Sequence, residues 1–161
     1  MITPDSKILT KDSLIEWREK LRASGKKLVF TNGCFDILHK GHVEYLFKAR
    51  NQGDALIVAM NSDESVRAIK GPTRPINPED ARAIVLASLY FVDGIYLFSS
   101  PRCCDVIKEI EPDIYVKGAD YTLDTLDREE KAVLLDLNVD IRFIEFTPGF
   151  STTAIIAKSQ I

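Results

Sequence analysis

Hydrophobic positions along the chain change repeatedly between helical spacing and short continuous runs. Leu14, Trp17 and Leu21 recur at intervals typical of an amphipathic helix, which we predict over residues 10–24. The unbroken apolar run at residues 55–60 is typical of a buried parallel strand. The same reading predicts further strands at residues 27–31, 94–98, 114–116 and 141–146, and further helices that begin near Gly41, Ser62, Asn77, Ser100, Asp124 and Ser151.

This alternation predicts an α/β fold with a Rossmann-like, doubly wound parallel sheet of about five strands and helices on both faces. The chain has 161 residues and no linker or low-complexity tract, so we predict one domain over 1–161, with 1–25 as a helical extension packed on it. In such folds ligands bind where the carboxyl ends of the strands meet. The loops that follow the strands are therefore the place to look for a site.

Composition narrows the classes of protein that fit. Hydrophobic residues make up 45% and charged residues 28%, as in ordinary globular proteins. The net charge of −3 makes general nucleic-acid binding a poor prediction. The chain shows neither an apolar run of membrane-spanning length nor an apolar segment of the kind found in signal peptides, and its three cysteines are not spaced for a disulfide framework or a zinc site. We expect a cytoplasmic protein that binds no membrane.

Both histidines lie directly after the first long strand, as His39 and His42, with Gly41 between them. A spacing of three residues at a helix start places both rings on one face, and helix N-termini favour anions. We predict a phosphate site there, built with the preceding loop residues Asn32, Gly33, Cys34 and Phe35. Two surface histidines on a capped helix are the alternative reading, and a metal pair is a weaker one. The glycine patterns of dinucleotide-binding and P-loop proteins are missing, which disfavours nicotinamide binding and P-loop hydrolysis.

Three segments resemble the signature motifs of the cytidylyltransferase-like nucleotidyltransferases. They are GCFD at 33–36, HKGH at 39–42 and STT at 151–153. Four further segments resemble the branch of that family that adenylylates D-glycero-β-D-manno-heptose 1-phosphate, as free enzymes or as half of a bifunctional heptose enzyme. These are NSD at 61–63, KGPTRPINP at 70–78, RAIVL at 82–86 and VKGADY at 116–121.

The resemblance implies a reaction and roles for particular residues. ATP and a heptose 1-phosphate would give ADP-heptose and pyrophosphate by direct in-line attack, with Mg²⁺ accompanying ATP and a homodimer as the expected assembly. The implied catalytic residues are His39, His42 and Lys117. Those implied to bind the nucleotide phosphates are Asn32, Gly33, Cys34, Phe35, Gly41, Ser151, Thr152 and Thr153. Those implied to contact the second substrate are Asp36, Lys70, Arg74, Arg82, Asp120 and Tyr121.

Several alternatives stay open. Asp36 could cap the following helix, and residues 151–153 could do no more than cap theirs. Cys34 fits a packing role, although a position near a helix N-terminus favours a thiolate. Arg82 lies in an apolar helix, which suggests a specific anion partner.

The substrate also leaves alternatives. No arginine precedes the STT segment within 146–150, where glycerol-phosphate cytidylyltransferases carry one, and this favours adenylyl transfer. Transfer to glycerol 3-phosphate or FMN, or a nucleotide-binding module without turnover, are the rival functions. A flavodoxin-like electron carrier would share the fold class alone.

Overall fold

The computed structural model describes residues 3–145 and 147–159. A short 3-10 turn at Pro4–Lys7 is followed by strands and helices in regular alternation. The strands are β1 (Ile8–Leu9), β2 (Leu28–Gly33), β3 (Ala55–Asn61), β4 (Gly94–Phe98), β5 (Ile114–Gly118) and β6 (Asp140–Ile144). The helices are α1 (Lys11–Ala23), α2 (Lys40–Arg50), α3 (Asp63–Lys70), α4 (Glu79–Ala87), α5 (Cys104–Ile110), α6 (Arg128–Asp136) and α7 (Thr152–Ser159).

All the strands join one parallel sheet in the order β1-β4-β3-β2-β5-β6. The chain runs outward from β2 through β3 to β4, then returns to place β5 on the other side of β2. The predicted Rossmann-like, doubly wound sheet is therefore confirmed. The point of reversal lies between β2 and β5, where such sheets open a crevice for ligands.

The sheet has six strands, whereas the sequence predicts about five. The additional strand is β1, which the sequence pattern does not indicate. Ile8 and Leu9 pair with Ile95 and Tyr96 of β4. Two residues are too few to show a strand period. Part of the segment expected to be a helical extension thus forms an edge strand of the sheet.

Two hydrophobic clusters lie on opposite faces of the sheet. Side chains of β3 alternate between them, so that Val58 packs in one cluster and Ile57 in the other. The first cluster includes side chains of α2 and α4, such as Leu46 and Leu86. The second includes side chains of α1, α5 and α6, such as Leu14, Ile107 and Leu134. Burial on both faces explains why the strands read as continuous apolar runs.

Most helix starts follow the local sequence, with three corrections. Helix α6 begins at Arg128, after its N-cap Asp127, rather than near Asp124. Thr10 and Ser13 form a capping box on α1, and Ser62 caps α3 through the N–H of Ser65. Helix α4 begins after Pro78 rather than Asn77, whose side chain instead donates to the carbonyl of Asp36.

Helix α5 begins at Cys104, later than the predicted start at Ser100. The hydroxyl of Ser100 donates to the carbonyl of Arg102 and caps no helix. Strand β6 ends at Ile144, and Phe146, the predicted end of the last strand, lies outside the described residues. Within 3–145 and 147–159, no helix is long and apolar enough to cross a bilayer.

Candidate active site

A cavity of about 810 Å³ opens at the carboxyl ends of β2 and β5, at the point of reversal in the sheet. Twelve of the predicted site residues line it: Asn32, Gly33, Cys34, Phe35, Asp36, His42, Lys70, Arg74, Lys117, Tyr121, Thr152 and Thr153. Others that the sequence did not suggest also line it, among them Asn61, Arg102, Asp127 and Glu130. The topology thus brings together residues that lie up to 121 positions apart in the chain.

His39 and His42 form a stacked pair at the start of α2. Their ring centroids are 3.8 Å apart with an angle of 20° between the planes. His39 is the N-cap residue, and its Nδ1 accepts the backbone N–H of His42 at 3.4 Å. Burial lowers the pKa of His39, and burial together with the adjacent His39 ring lowers the pKa of His42 to about 4. Both rings are therefore neutral at pH 7, and each carries one N–H to donate.

Gly41 leaves room for this arrangement. A Cβ at this position would lie 3.1 Å from Cε1 and Nδ1 of His39 and 3.2 Å from Cβ of Phe150. The ring of Phe150 stacks with His39 at 6.4 Å. His42 lines the cavity, whereas His39 and Gly41 do not. His39 and Gly41 therefore support the position of His42.

The loop between β2 and α2 passes close to its own side chains. Phe35 has a φ of 47°, and a Cβ on Gly33 would lie 2.9 Å from the Phe35 ring. The thiol of Cys34 points to Oδ1 of Asn61 at 3.8 Å. Burial raises the pKa of Cys34 despite the nearby cations Lys70, Arg82 and Arg74, which favours the packing role over the thiolate alternative.

The buried carboxylate of Asp36 anchors the loop that carries Arg74. It accepts Nε of Arg74 at 2.5 Å and the backbone N–H groups of Ile76 and Asn77 at 2.8 and 3.0 Å. Burial acts to raise the pKa of Asp36, but these hydrogen bonds outweigh it and lower the pKa. The alternative that Asp36 caps α2 is wrong, because His39 is the N-cap. Asp36 instead ties a basic loop to the rim of the cavity.

Arg82 requires a correction. Its guanidinium is buried, lies outside the cavity, and donates to the carbonyls of Asn77, Cys34 and Asn61 and to the carboxylate of Asp63 at 2.7 Å. The anion partner expected from the sequence is therefore a residue of this chain. Through these contacts Arg82 braces the segments around the cavity.

Lys117 stands at the end of β5 and points into the cavity. Its Nζ donates to Oδ1 of Asn32 at 2.7 Å and lies 3.9 Å from the carboxylate of Glu130. The same Nζ lies over the rings of Tyr115 and Tyr121 at 5.6 and 5.4 Å. The cation thus connects β5 with the end of β2 and with helix α6.

Two of the predicted contact residues lie beside the cavity rather than in it. Asp120 is exposed and does not line it, whereas the neighbouring Tyr121 does. Ser151 accepts the N–H of Ala154 at 3.1 Å and caps α7. Thr152 and Thr153 line the cavity at the N-terminus of the same helix. Capping by Ser151 and phosphate binding by the two threonines are compatible.

Glu130 was missed by the sequence reading. It follows Glu129 in a charged segment that resembles a solvated helix face, yet its side chain is 8% exposed. One pattern could have identified it, since Leu126, Glu130 and Leu134 recur at intervals of four and share the buried side of this segment.

The arrangement is suited to binding a polyphosphate. The N-termini of α2 and α7 both reach the cavity, as do neutral imidazole N–H groups and the cations Lys70, Arg74 and Lys117. Within residues 3–145 and 147–159, no group of three or more His, Cys, Asp or Glu side chains is placed to hold a metal ion.

Comparison with known proteins identifies the family. The model of the cytidylyltransferase-like family matches residues 30–158. The bifunctional protein HldE of Wolinella succinogenes is 47% identical over 154 residues, which cover 96% of this chain and 31% of that protein. HldE of Campylobacter curvus is 51% identical over 133 residues, 83% of this chain and 27% of the relative. This chain therefore spans about a third of the length of these relatives.

A solved structure is similar over most of the chain. The lipopolysaccharide core biosynthesis protein of Thermoplasma volcanium superposes with a TM-score of 0.62 and 29% identity, covering 76% of this chain and 98% of that one. The chain belongs to the cytidylyltransferase-like family of nucleotidyltransferases.

Proposed function

We propose that the chain transfers AMP from ATP to a sugar 1-phosphate, D-glycero-β-D-manno-heptose 1-phosphate, and releases ADP-heptose and pyrophosphate. The His39–His42 pair carries this proposal, because His42 places a neutral imidazole at the N-terminus of α2 in the same cavity as Lys117, and His39 stacks on it. The HldE relatives and the solved lipopolysaccharide core biosynthesis protein support the choice of a sugar phosphate. The similarity of residues 70–78 and 116–121 to the heptose branch supports the heptose.

The chemistry needs no covalent intermediate. An oxygen of the sugar phosphate attacks the α-phosphorus of ATP, and the bond from that phosphorus to the bridging oxygen breaks as pyrophosphate leaves in line. The sugar phosphate is already anionic at pH 7, so the step needs no strong base. Positioning and stabilisation of negative charge supply the rate enhancement. Cys34 therefore has a packing role beside the phosphate loop.

We assign the charge stabilisation to three side chains. His42 donates to the phosphate chain from within the cavity, and His39 holds the His42 ring in place by stacking and contributes a second donor. Lys117 neutralises charge that develops at the α-phosphoryl group. The backbone of residues 32–35 and the N-terminus of α7 at Thr152 and Thr153 bind the remaining phosphate oxygens.

Lys70, at the end of α3, and Arg74, in the loop that Asp36 anchors, both line the cavity, and we assign them to the second phosphate substrate. Tyr121 contacts the sugar or the base from the loop after β5. Asp120 is the exposed neighbour of Tyr121 in the same loop. It contacts the substrate only if that loop moves on binding.

Mg²⁺ accompanies ATP in this proposal. Asp36, Asp127 and Glu130 line the cavity, but within the described residues such carboxylates are not grouped to hold a metal ion, which fits an ion coordinated by phosphate oxygens and water. When bound, the ion neutralises the leaving pyrophosphate. We further propose one nucleotidyltransferase domain over 1–161 that acts in the cytoplasm as a homodimer, by its resemblance to the family.

Pyrophosphate release is the test. ATP, CTP, GTP and UTP, each with Mg²⁺, are paired with heptose 1-phosphate, glycerol 3-phosphate or FMN. Release with ATP and the heptose phosphate alone is the expected result. Release with CTP and glycerol 3-phosphate would overturn the substrate and keep the histidine mechanism. Protein that binds ATP but releases nothing in any pair would be a binding module and would contradict the proposal.

A further inference from the structure

Glu130 places a buried carboxylate next to a phosphate-binding cavity, where a negative charge is costly unless it is paired. Its side chain is 8% exposed, and it lines the same cavity as Lys117 and His42. An uncompensated anion here would repel a nucleotide triphosphate. A carboxylate at this point is therefore expected to organise a neighbouring group.

The orientation of this carboxylate is fixed from both sides. Oε1 accepts the backbone N–H of Cys103 at 3.4 Å and its thiol at 3.3 Å. Oε2 accepts the hydroxyl of Tyr115 at 3.2 Å and lies 3.9 Å from Nζ of Lys117. Burial, and then the charge of Glu130, raise the pKa of the Cys103 thiol, so this partner stays neutral. Lys117 is thus the cation that compensates the carboxylate.

Nζ of Lys117 lies between one hydrogen-bond acceptor, Asn32, and the carboxylate of Glu130. Nζ donates to Oδ1 of Asn32 at 2.7 Å, and the hydroxyl of Tyr115 reaches that same oxygen at 3.2 Å. Glu130, Tyr115 and Asn32 therefore form a frame that surrounds the ammonium group. The frame links α6 and β5 to the end of β2, directly before the phosphate loop.

We infer that Glu130 is a positioning residue that fixes Lys117, as an ammonium ion, at the point where the α-phosphoryl group of the nucleotide binds. This inference rests on the proposed function for the role of Lys117, and it adds a residue of α6 to the machinery. A flexible four-carbon side chain gains directional precision when a fixed anion restrains it. Without Glu130, Lys117 would sample other positions and interact less well with the transition state.

Steady-state kinetics of three variants test the inference. Glu130→Gln keeps the shape and removes the charge, and we expect kcat to fall by about tenfold while KM for ATP changes by less than about threefold. Glu130→Asp keeps the charge and should recover part of the loss. Glu129→Gln is the matched control, because Glu129 is the preceding residue, pairs with exposed Arg102 and should leave turnover unchanged.

A double-mutant cycle gives the sharper comparison. Glu130→Gln in a Lys117→Met background should have almost no further effect, since its target is already gone. Full additivity of the two losses would overturn the inference. So would a Glu130→Gln variant that turns over like the wild type.

Amine acylation provides a readout that is independent of turnover. Acetic anhydride at fixed pH, followed by peptide mass spectrometry, measures the labelling of Lys117 with exposed Lys48 as the internal reference. Lys117 should be labelled several-fold faster in Glu130→Gln and as slowly as in the wild type in Glu129→Gln. Equal labelling in all three proteins would overturn the positioning role. Faster labelling in Glu130→Gln, in protein without activity on any substrate pair, would support the positioning and reject the proposed function.

Discussion

The rings of His39 and His42 stack at 3.8 Å, and the His39 ring adds to burial in lowering the pKa of His42. Two imidazolium ions at that distance would repel each other strongly. Burial and this proximity keep the pair neutral, with the pKa of His42 at about 4. A neutral pair can donate hydrogen bonds to phosphate, and it carries no buried charge before an anion binds. Protonation of the pair becomes favourable only when an anion is bound.

Replacement of either histidine by alanine should lower kcat by about 10²–10³-fold, as expected for loss of a donor to the transition state. KM should rise more in the His42 variant than in the His39 variant, because His42 lines the cavity and His39 does not. Initial rates of pyrophosphate release give both parameters. Lys48→Ala, an exposed change near the end of the same helix, is the control. Near-normal turnover of His39→Ala would contradict its role.

The depressed pKa of His42 also predicts how stability depends on pH. Between pH 6.5, its ordinary pKa, and about 4, the unfolded chain binds a proton that the folded protein does not. Folding stability is therefore complete above pH 6.5 and decreases as the pH falls towards 4, by up to about 3 kcal/mol from this residue. Urea unfolding from pH 7 to pH 4 measures it. A His42→Gln variant should lose less stability over that interval, and an identical slope in both proteins would contradict the prediction.

Nucleotide binding should reverse this shift. A phosphate anion beside the rings favours their protonated forms, so binding of ATP near pH 6 should take up protons. Calorimetric titrations in two buffers with different heats of ionisation measure the uptake. We expect a smaller uptake in His42→Gln. An uptake of zero in the wild type would show that the phosphates lie away from the pair.

The sequence predicted the sheet well because each central strand is buried on both faces and appears as an apolar run. It failed at β1, where two residues carry no period, and at α5, where Ser100 and Pro101 resemble a cap but form a turn before the helix. The position of the cavity followed from the parallel topology alone.

Individual side-chain partners were harder to predict than the position of the site. An arginine in the apolar stretch of α4 indicated an anion partner, yet the sequence could not say that Asp63, 19 residues earlier, supplies it. Glu130 was missed for a similar reason. Its role depends on the meeting of α6 with β5, a tertiary contact that local spacing does not show.

Arg82 should therefore affect stability before it affects substrate binding. Arg82→Met removes donors from the carbonyls of Asn77, Cys34 and Asn61 and leaves the carboxylate of Asp63 without its partner. We expect the free energy of unfolding to fall by about 3–5 kcal/mol. Urea unfolding measures this, with exposed Arg67→Met on α3 as the control. If the variant has wild-type stability and a raised KM for the sugar phosphate, Arg82 binds the substrate, and the structural role assigned to it is wrong.

Gly41→Ala separates the fold from the geometry of the histidine pair. Alanine favours a helix over glycine by about 1 kcal/mol, so the helix itself should tolerate the change. The new Cβ would lie 3.1 Å from the His39 ring and 3.2 Å from Cβ of Phe150, so the ring or Phe150 must move. We expect unfolding free energy within about 1 kcal/mol of the wild type and kcat reduced by about tenfold. Thermal unfolding and pyrophosphate release measure the two. Lys48→Ala, at an exposed position of the same helix, is the control. A kcat of Gly41→Ala equal to that of Lys48→Ala would show that the position of the His39 ring does not limit catalysis.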